Sequence, residues 1–103
     1  MKIINAYEYA DLTKEVQEKV FAKTLNEEIE INIQHLHEQL NKGLITEEEY
    51  YSTLGCSKSY AESTSWFVPS CYYQQNEVHL EEAVKDIVES NLYTEDGRFI
   101  QAI

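Results

Sequence analysis

The chain has 103 residues, 43% hydrophobic and 26% charged, with three glycines and one proline. That suits a single small domain and excludes the low-hydrophobicity regime of disordered chains. Eight Lys and Arg against 19 Asp and Glu leave a formal charge of −11. With no basic stripe to neutralise phosphates, direct nucleic-acid binding and attachment to an anionic membrane are disfavoured, and an acidic domain that meets something basic is what remains.

Ile3, Ile4, Tyr7 and Tyr9 form a β-prone run that reads as a short first strand, and Asp11-Leu12-Thr13 supplies capping side chains for a helix beginning near Lys14. Leu12, Val16, Val20, Leu25, Ile29, Ile33, Leu36 and Leu40 keep one apolar stripe to about Asn41, where Gly43 offers a left-handed stop. Asn26 before Glu27 and Glu28, and the alternation of Ile29, Ile31 and Ile33, favour two helices or one bent helix with a break near Asn26.

Thr46 followed by Glu49 is a capping-box pattern, and Gly55 closes a short helix over Glu47 to Leu54. From Ser57 to Gln75, Trp66-Phe67-Val68 and Cys71-Tyr72-Tyr73 read as strand-like runs around Pro69. After Asn76, Leu80, Ala83, Val84, Ile87, Val88 and Asn91 make one helical face. Asp96-Gly97, between Leu92–Glu95 and Arg98–Ile100, predicts a terminal hairpin with a type I′ turn. With no linker or repeat in view, the expected architecture is α+β, one acidic domain over 1–103 with helices packed on a short antiparallel sheet or hairpins.

The carboxylates are clustered. Glu27, Glu28, Glu30 and Glu38 lie in a stretch, Thr24 to Asn41, that has no lysine or arginine; Glu47, Glu48 and Glu49 follow; a second base-free stretch runs from Ser59 to Val84. Projected from adjacent helical turns, such groups generate a field that steers a basic partner, although the same groups also serve solubility alone. In the pairs Tyr50-Tyr51 and Tyr72-Tyr73 one ring faces inward and its neighbour is left near the surface, so these tyrosines, Tyr50 and Tyr72 among them, are contact candidates. Trp66 and Phe67 are assigned to the core, because a small domain needs its large side chains inside.

The first ten residues lack the apolar core of a secretory signal, and no run is long enough to cross a bilayer, so the chain reads as cytoplasmic. There Cys56 and Cys71 are free thiols or metal ligands rather than a disulfide. Together with His79 and His37 they form a candidate structural zinc set; His35 and His37 are two apart on a helix, so one of them at most joins, and His37 lies nearer the Ile33, Leu36, Leu40 face. The alternative is two small buried cysteines and surface histidines. A Cys–His nucleophile pair needs nearby cations, which this composition lacks, and neither a glycine-rich phosphate loop nor a nucleophile elbow occurs, so the chain reads as a non-enzyme, with a zinc-dependent enzyme as a minor alternative.

Two stretches, Tyr7-Glu8-Tyr9-Ala10-Asp11-Leu12-Thr13-Lys14-Glu15-Val16-Gln17-Glu18-Lys19 and Ile87-Val88-Glu89-Ser90-Asn91-Leu92-Tyr93-Thr94-Glu95-Asp96-Gly97-Arg98, resemble a group of small bacteriophage and prophage proteins. These open with a strand and a Leu-Ser/Thr-Glu-Glu helix start and close on a Thr-Glu-Asp-Gly-Arg turn. Small acidic phage proteins of this kind include anti-CRISPR inhibitors of type II effector nucleases. The resemblance implies a partner whose nucleic-acid channels are lined with lysine and arginine, met in the host cytoplasm and blocked from loading nucleic acid without catalysis. Glu27, Glu28, Glu30, Glu47, Glu48 and Glu49 would meet those cations, with a tyrosine or two as anchors. An antitoxin or regulatory adaptor bound to a small basic protein shares the same acidity.

Overall fold

The structure, a computed structural model, describes residues 5–103. The fold is α+β: among the described residues, four α-helices accompany one antiparallel sheet of three short strands in the order β1-β2-β3. Among the described residues the contacts gather into two compact units, residues 5–26 with 81–103 and residues 27–80.

In the first unit β1 (Tyr7–Glu8) is the observed part of the expected first strand; Ile3 and Ile4 lie outside the described residues, and Tyr9 begins a 3-10 turn, Tyr9–Asp11. Thr13 Oγ1 accepts the Val16 N–H at 3.3 Å and starts α1 (Lys14–Asn41) where expected. The turn and the helix are braced reciprocally: Gln17 Nε2 donates to the Tyr9 carbonyl at 2.8 Å, and the Tyr9 hydroxyl donates to the Gln17 carbonyl at 3.1 Å. Leu12, Val20, Val84, Val88 and Tyr93 form the core, with Val16, Phe21 and Leu25 packed against it. Val84 and Val88, one helical turn apart, have no exposed surface.

The hairpin of β2 (Asn91–Tyr93) and β3 (Phe99–Ala102) closes this unit, β1 pairing with β2 so that Tyr7 lies opposite Tyr93. Its turn is not type I′, which needs positive φ at both central residues; Gly97 is left-handed (φ +89°) but Asp96 is not. Instead the Gly97 N–H donates to the Thr94 carbonyl and the Thr94 N–H to the Arg98 carbonyl, a three-residue loop ending in the left-handed glycine. The side chains select it: Thr94 Oγ1 donates to the Asp96 carboxylate and accepts the Arg98 N–H at 3.0 Å, while Arg98 Nε donates to Asp96 Oδ2 at 3.0 Å. Those bonds hold the Asp96 carboxyl below the usual range, the Thr94 hydroxyl first and Arg98 second.

The expected break near Asn26 is absent, and α1 runs uninterrupted to Asn41. No glycine or proline stands in this stretch, and a single asparagine costs a helix only tenths of a kcal/mol, roughly half of the ~1 a glycine costs. The alternating isoleucines accordingly fall on different faces, Ile29 buried and Ile31 exposed.

In the second unit α1 ends in a Schellman motif: the Leu44 N–H reaches the Gln39 carbonyl at 2.9 Å, the Gly43 N–H the Leu40 carbonyl at 3.1 Å, and Gly43 has φ +72°. The capping box then forms as expected, Glu49 N–H to Thr46 Oγ1 and Thr46 N–H to Glu49 Oε1, both 3.1 Å, starting α2 (Glu47–Leu54) with Gly55 after its end. Ser57 caps a helix absent from the sequence expectation, α3 (Lys58–Ser63), and a 3-10 turn, Ser65–Phe67, leads into α4 (Val68–Glu89).

The strands expected at Trp66–Val68 and Cys71–Tyr73 are therefore helical. Pro69 sits in the first turn of α4, where its missing N–H costs no hydrogen bond, so it opens a helix instead of bounding a strand. The helix expected after Asn76 is the second limb of α4, which kinks at that residue (φ −121°, ψ 21°). Asn76 Nδ2 donates to the Tyr72 carbonyl and to the Thr53 carbonyl, both at 3.0 Å, covering the acceptor exposed by the kink and tying α4 to the end of α2.

Candidate partner-binding groove

Within the unit 27–80, one face of α1, Tyr50 of α2 and the entry to α4 surround an open groove of about 540 Å³. From α1 come Glu30, Ile31, Ile33, Gln34 and His37, the three- and four-residue spacing of a single helix face. Ser65, Val68 and Pro69 form the opposite wall. Tyr50, 8% exposed, is the buried element; burial first, then Tyr51 and Cys56, push its phenol above the ordinary value. The His37 ring lies 6.4 Å from it, tilted by 60°. Ile31 is 57% exposed, and Trp66, beside Ser65 in the chain, is 75% exposed and packs edge-on against Phe67 with ring centres 4.6 Å apart.

This reverses the aromatic roles expected from the sequence. Tyr50 and Tyr72, expected to meet a partner, are each only 8% exposed, and burial with the nearby Glu28 carboxylate raises the Tyr72 phenol. Only one ring of each adjacent pair turns inward, as reasoned, and it is Tyr50 and Tyr72; Tyr51 and Tyr73 are half-buried. Trp66 and Phe67, expected in the core, are exposed on the 3-10 turn that leads into α4.

The six carboxylates expected to face a partner divide by local duty. Glu49 is committed to the capping box, and Glu47 pairs with Lys58 at 3.7 Å, an exposed contact of little energetic weight. All three of Glu47, Glu48 and Glu49 lie in the first turn of α2, where negative charge complements the helix dipole. Glu28 accepts from Asn32 at 3.4 Å and stands near Tyr72. Glu27, Glu30 and Glu48 are exposed and make no ion pair among the described residues, and Glu30 lines the groove. Residues 27–80 hold nine acidic residues against Lys42 and Lys58, neither of which lines it.

The expected zinc set does not assemble. Cys56, just past α2, and Cys71, in α4, are free thiols that line one cavity of about 360 Å³ with Gly55, Ser57, Tyr60, Phe67 and Gln74. The Cys56 thiol is pushed up by burial and then by the neighbouring Cys71. His37 stands instead at the apolar groove and His79 is exposed on α4; among the described residues no group of three His, Cys, Asp or Glu side chains converges as metal ligands would.

The groove itself was missed from the sequence because its residues come from four separate segments; the visible signal was a lone tryptophan three residues before the lone proline. No helix among the described residues is long and apolar enough to cross a membrane. Comparison of the chain with protein-family models, with curated proteins and with solved structures gives no match.

Proposed function

We propose that this protein is a non-catalytic binder of a basic protein surface, with the groove between α1, α2 and α4 taking an apolar anchor and Glu27 and Glu30 meeting flanking lysines or arginines. The observation that carries this reading is an apolar groove whose lining holds one unpaired carboxylate, Glu30, and no lysine or arginine. A central apolar pocket with a charged rim is the usual division of labour at interfaces: the anchor supplies affinity, the rim supplies steering and partner choice.

The finer reading is inhibition of a host defence nuclease, a type II CRISPR effector, by occupying a cationic surface that nucleic acid would otherwise enter. It rests on the resemblance of Tyr7–Lys19 and Ile87–Arg98 to phage proteins, together with the acidity. The test adds the full chain to a guide-loaded type II effector and measures capture of target DNA by gel shift at low and high salt. Expected is loss of DNA capture at equimolar protein, relieved by added salt and by the double change Glu27→Lys, Glu30→Lys. DNA capture unchanged at any ratio overturns the nuclease reading. The broader reading fails if immobilised chain retains no basic protein at low salt that the double change releases.

A further inference from the structure

We infer that Cys56 and Cys71 are a disulfide-forming pair, a site of reversible oxidation by a small disulfide of the glutathione class. Both thiols are free and line the same cavity. The residue before Cys56 packs on the Cys71 backbone: a Cβ added at Gly55 would stand 2.8 Å from the Cys71 carbonyl oxygen and 2.8 Å from Gln75 Cβ. Closure therefore asks for no large movement of the chain, the usual obstacle to joining two cysteines. Both are half-buried in the wall of an open cavity, so a small reagent has access to them.

Taken with Cys71 first, the exchange begins at its thiolate. That thiolate attacks one sulfur of the glutathione disulfide, whose S–S bond breaks and releases one glutathione thiolate that takes up a proton. Cys56 then gives its proton to water and attacks the Cys71 sulfur of the mixed disulfide, and the second glutathione leaves. The protein loses two hydrogens, and one glutathione disulfide becomes two glutathione thiols. The bond closes residues 57–70 into a covalent loop that carries Ser65, Val68 and Pro69 of the groove. Oxidation would thereby fix one wall of the binding surface, a consequence that rests on the proposed function, whereas the disulfide itself does not.

The reduced full chain is equilibrated with graded glutathione disulfide-to-thiol ratios, acid-quenched and analysed by mass spectrometry, native and in urea. Expected is a monomer 2 Da lighter, mapped to Cys56–Cys71, with stable glutathione adducts only on Cys56→Ser and Cys71→Ser. For a loop of this length, the oxidation equilibrium of the native chain should exceed that in urea by about a hundredfold. The proposal is overturned if the native wild type stays dithiol, or accumulates glutathione adducts or disulfide dimers, at ratios that fully oxidise the urea-unfolded chain. A native equilibrium no more favourable than the unfolded one overturns it equally.

Discussion

Replacing Trp66 and Tyr50 one at a time by alanine separates an exposed ring, next to Ser65 in the chain, from the buried ring that lines the groove. Trp66 is 75% exposed, so only about a quarter of the roughly 250 Å² a tryptophan can bury is withdrawn from water. At about 25 cal/mol per Å² the folded state loses at most ~1.5 kcal/mol, less once residual burial in the unfolded chain is counted. Tyr50 is 8% exposed and carries the floor beneath His37, so its truncation removes nearly a whole ring and leaves a cavity, a cost of about 3–5 kcal/mol. Urea unfolding followed by circular dichroism measures both. On the proposed function, affinity for the basic partner should fall at least tenfold for Trp66→Ala, equal to a loss of about 1.4 kcal/mol, while the fold persists. A Trp66→Ala protein destabilised by ~3 kcal/mol, or a Tyr50→Ala protein as stable as wild type, would refute this division between an exposed and a buried ring, since both magnitudes come from burial alone.

Three further outcomes follow from local geometry. Gly97→Ala should cost about 2–4 kcal/mol in urea unfolding, because a Cβ there meets Val20 Cγ2 at 2.8 Å and Val16 Cγ1 at 2.9 Å on a backbone of positive φ; Gly43→Ala, with open space around it, should show only the conformational part, about 1 kcal/mol. Thr46→Ala removes the acceptor for the Glu49 N–H and should cost ~1 kcal/mol, largely restored by Thr46→Ser, as read by helical circular dichroism and urea titration. Burial raises the phenols of Tyr9, Tyr50, Tyr72 and Tyr93, so the folded chain keeps them neutral at a pH where the unfolded chain ionises. That contribution is fully present below the unfolded value, about 10, and is lost as pH rises from there through the folded values. Denaturation midpoints measured from pH 8 to 12 should fall above pH 10, less steeply in Tyr50→Phe with Tyr72→Phe.

Much of the local structure was legible in the residues because its causes are local. The Thr46–Glu49 box, the Gly43 stop and the Thr13 start each depend on a few neighbouring side chains bonding the backbone beside them, and each formed where expected. The Leu80–Val88 stripe likewise became a buried helix face, because its four-residue spacing leaves only one side to cover. The failures share a cause as well. Asp96-Gly97 favours a type I′ turn in isolation, yet bonds among Thr94, Asp96 and Arg98 select another. Trp66-Phe67-Val68 has strand propensity, yet no neighbouring strand is there to pair with it.

By itself the sequence determined the excess of carboxylates, their concentration in 27–49 and the ends of the helices, since charge and capping are properties of residues close together in the chain. Only the tertiary structure decided which tyrosine of each pair turned inward, that Trp66 stayed outside, and that Cys56 met Cys71 while His37 stood at a different groove. Burial is a contest among all side chains for limited interior space, so its outcome depends on contacts between residues far apart in the chain, which no local pattern encodes.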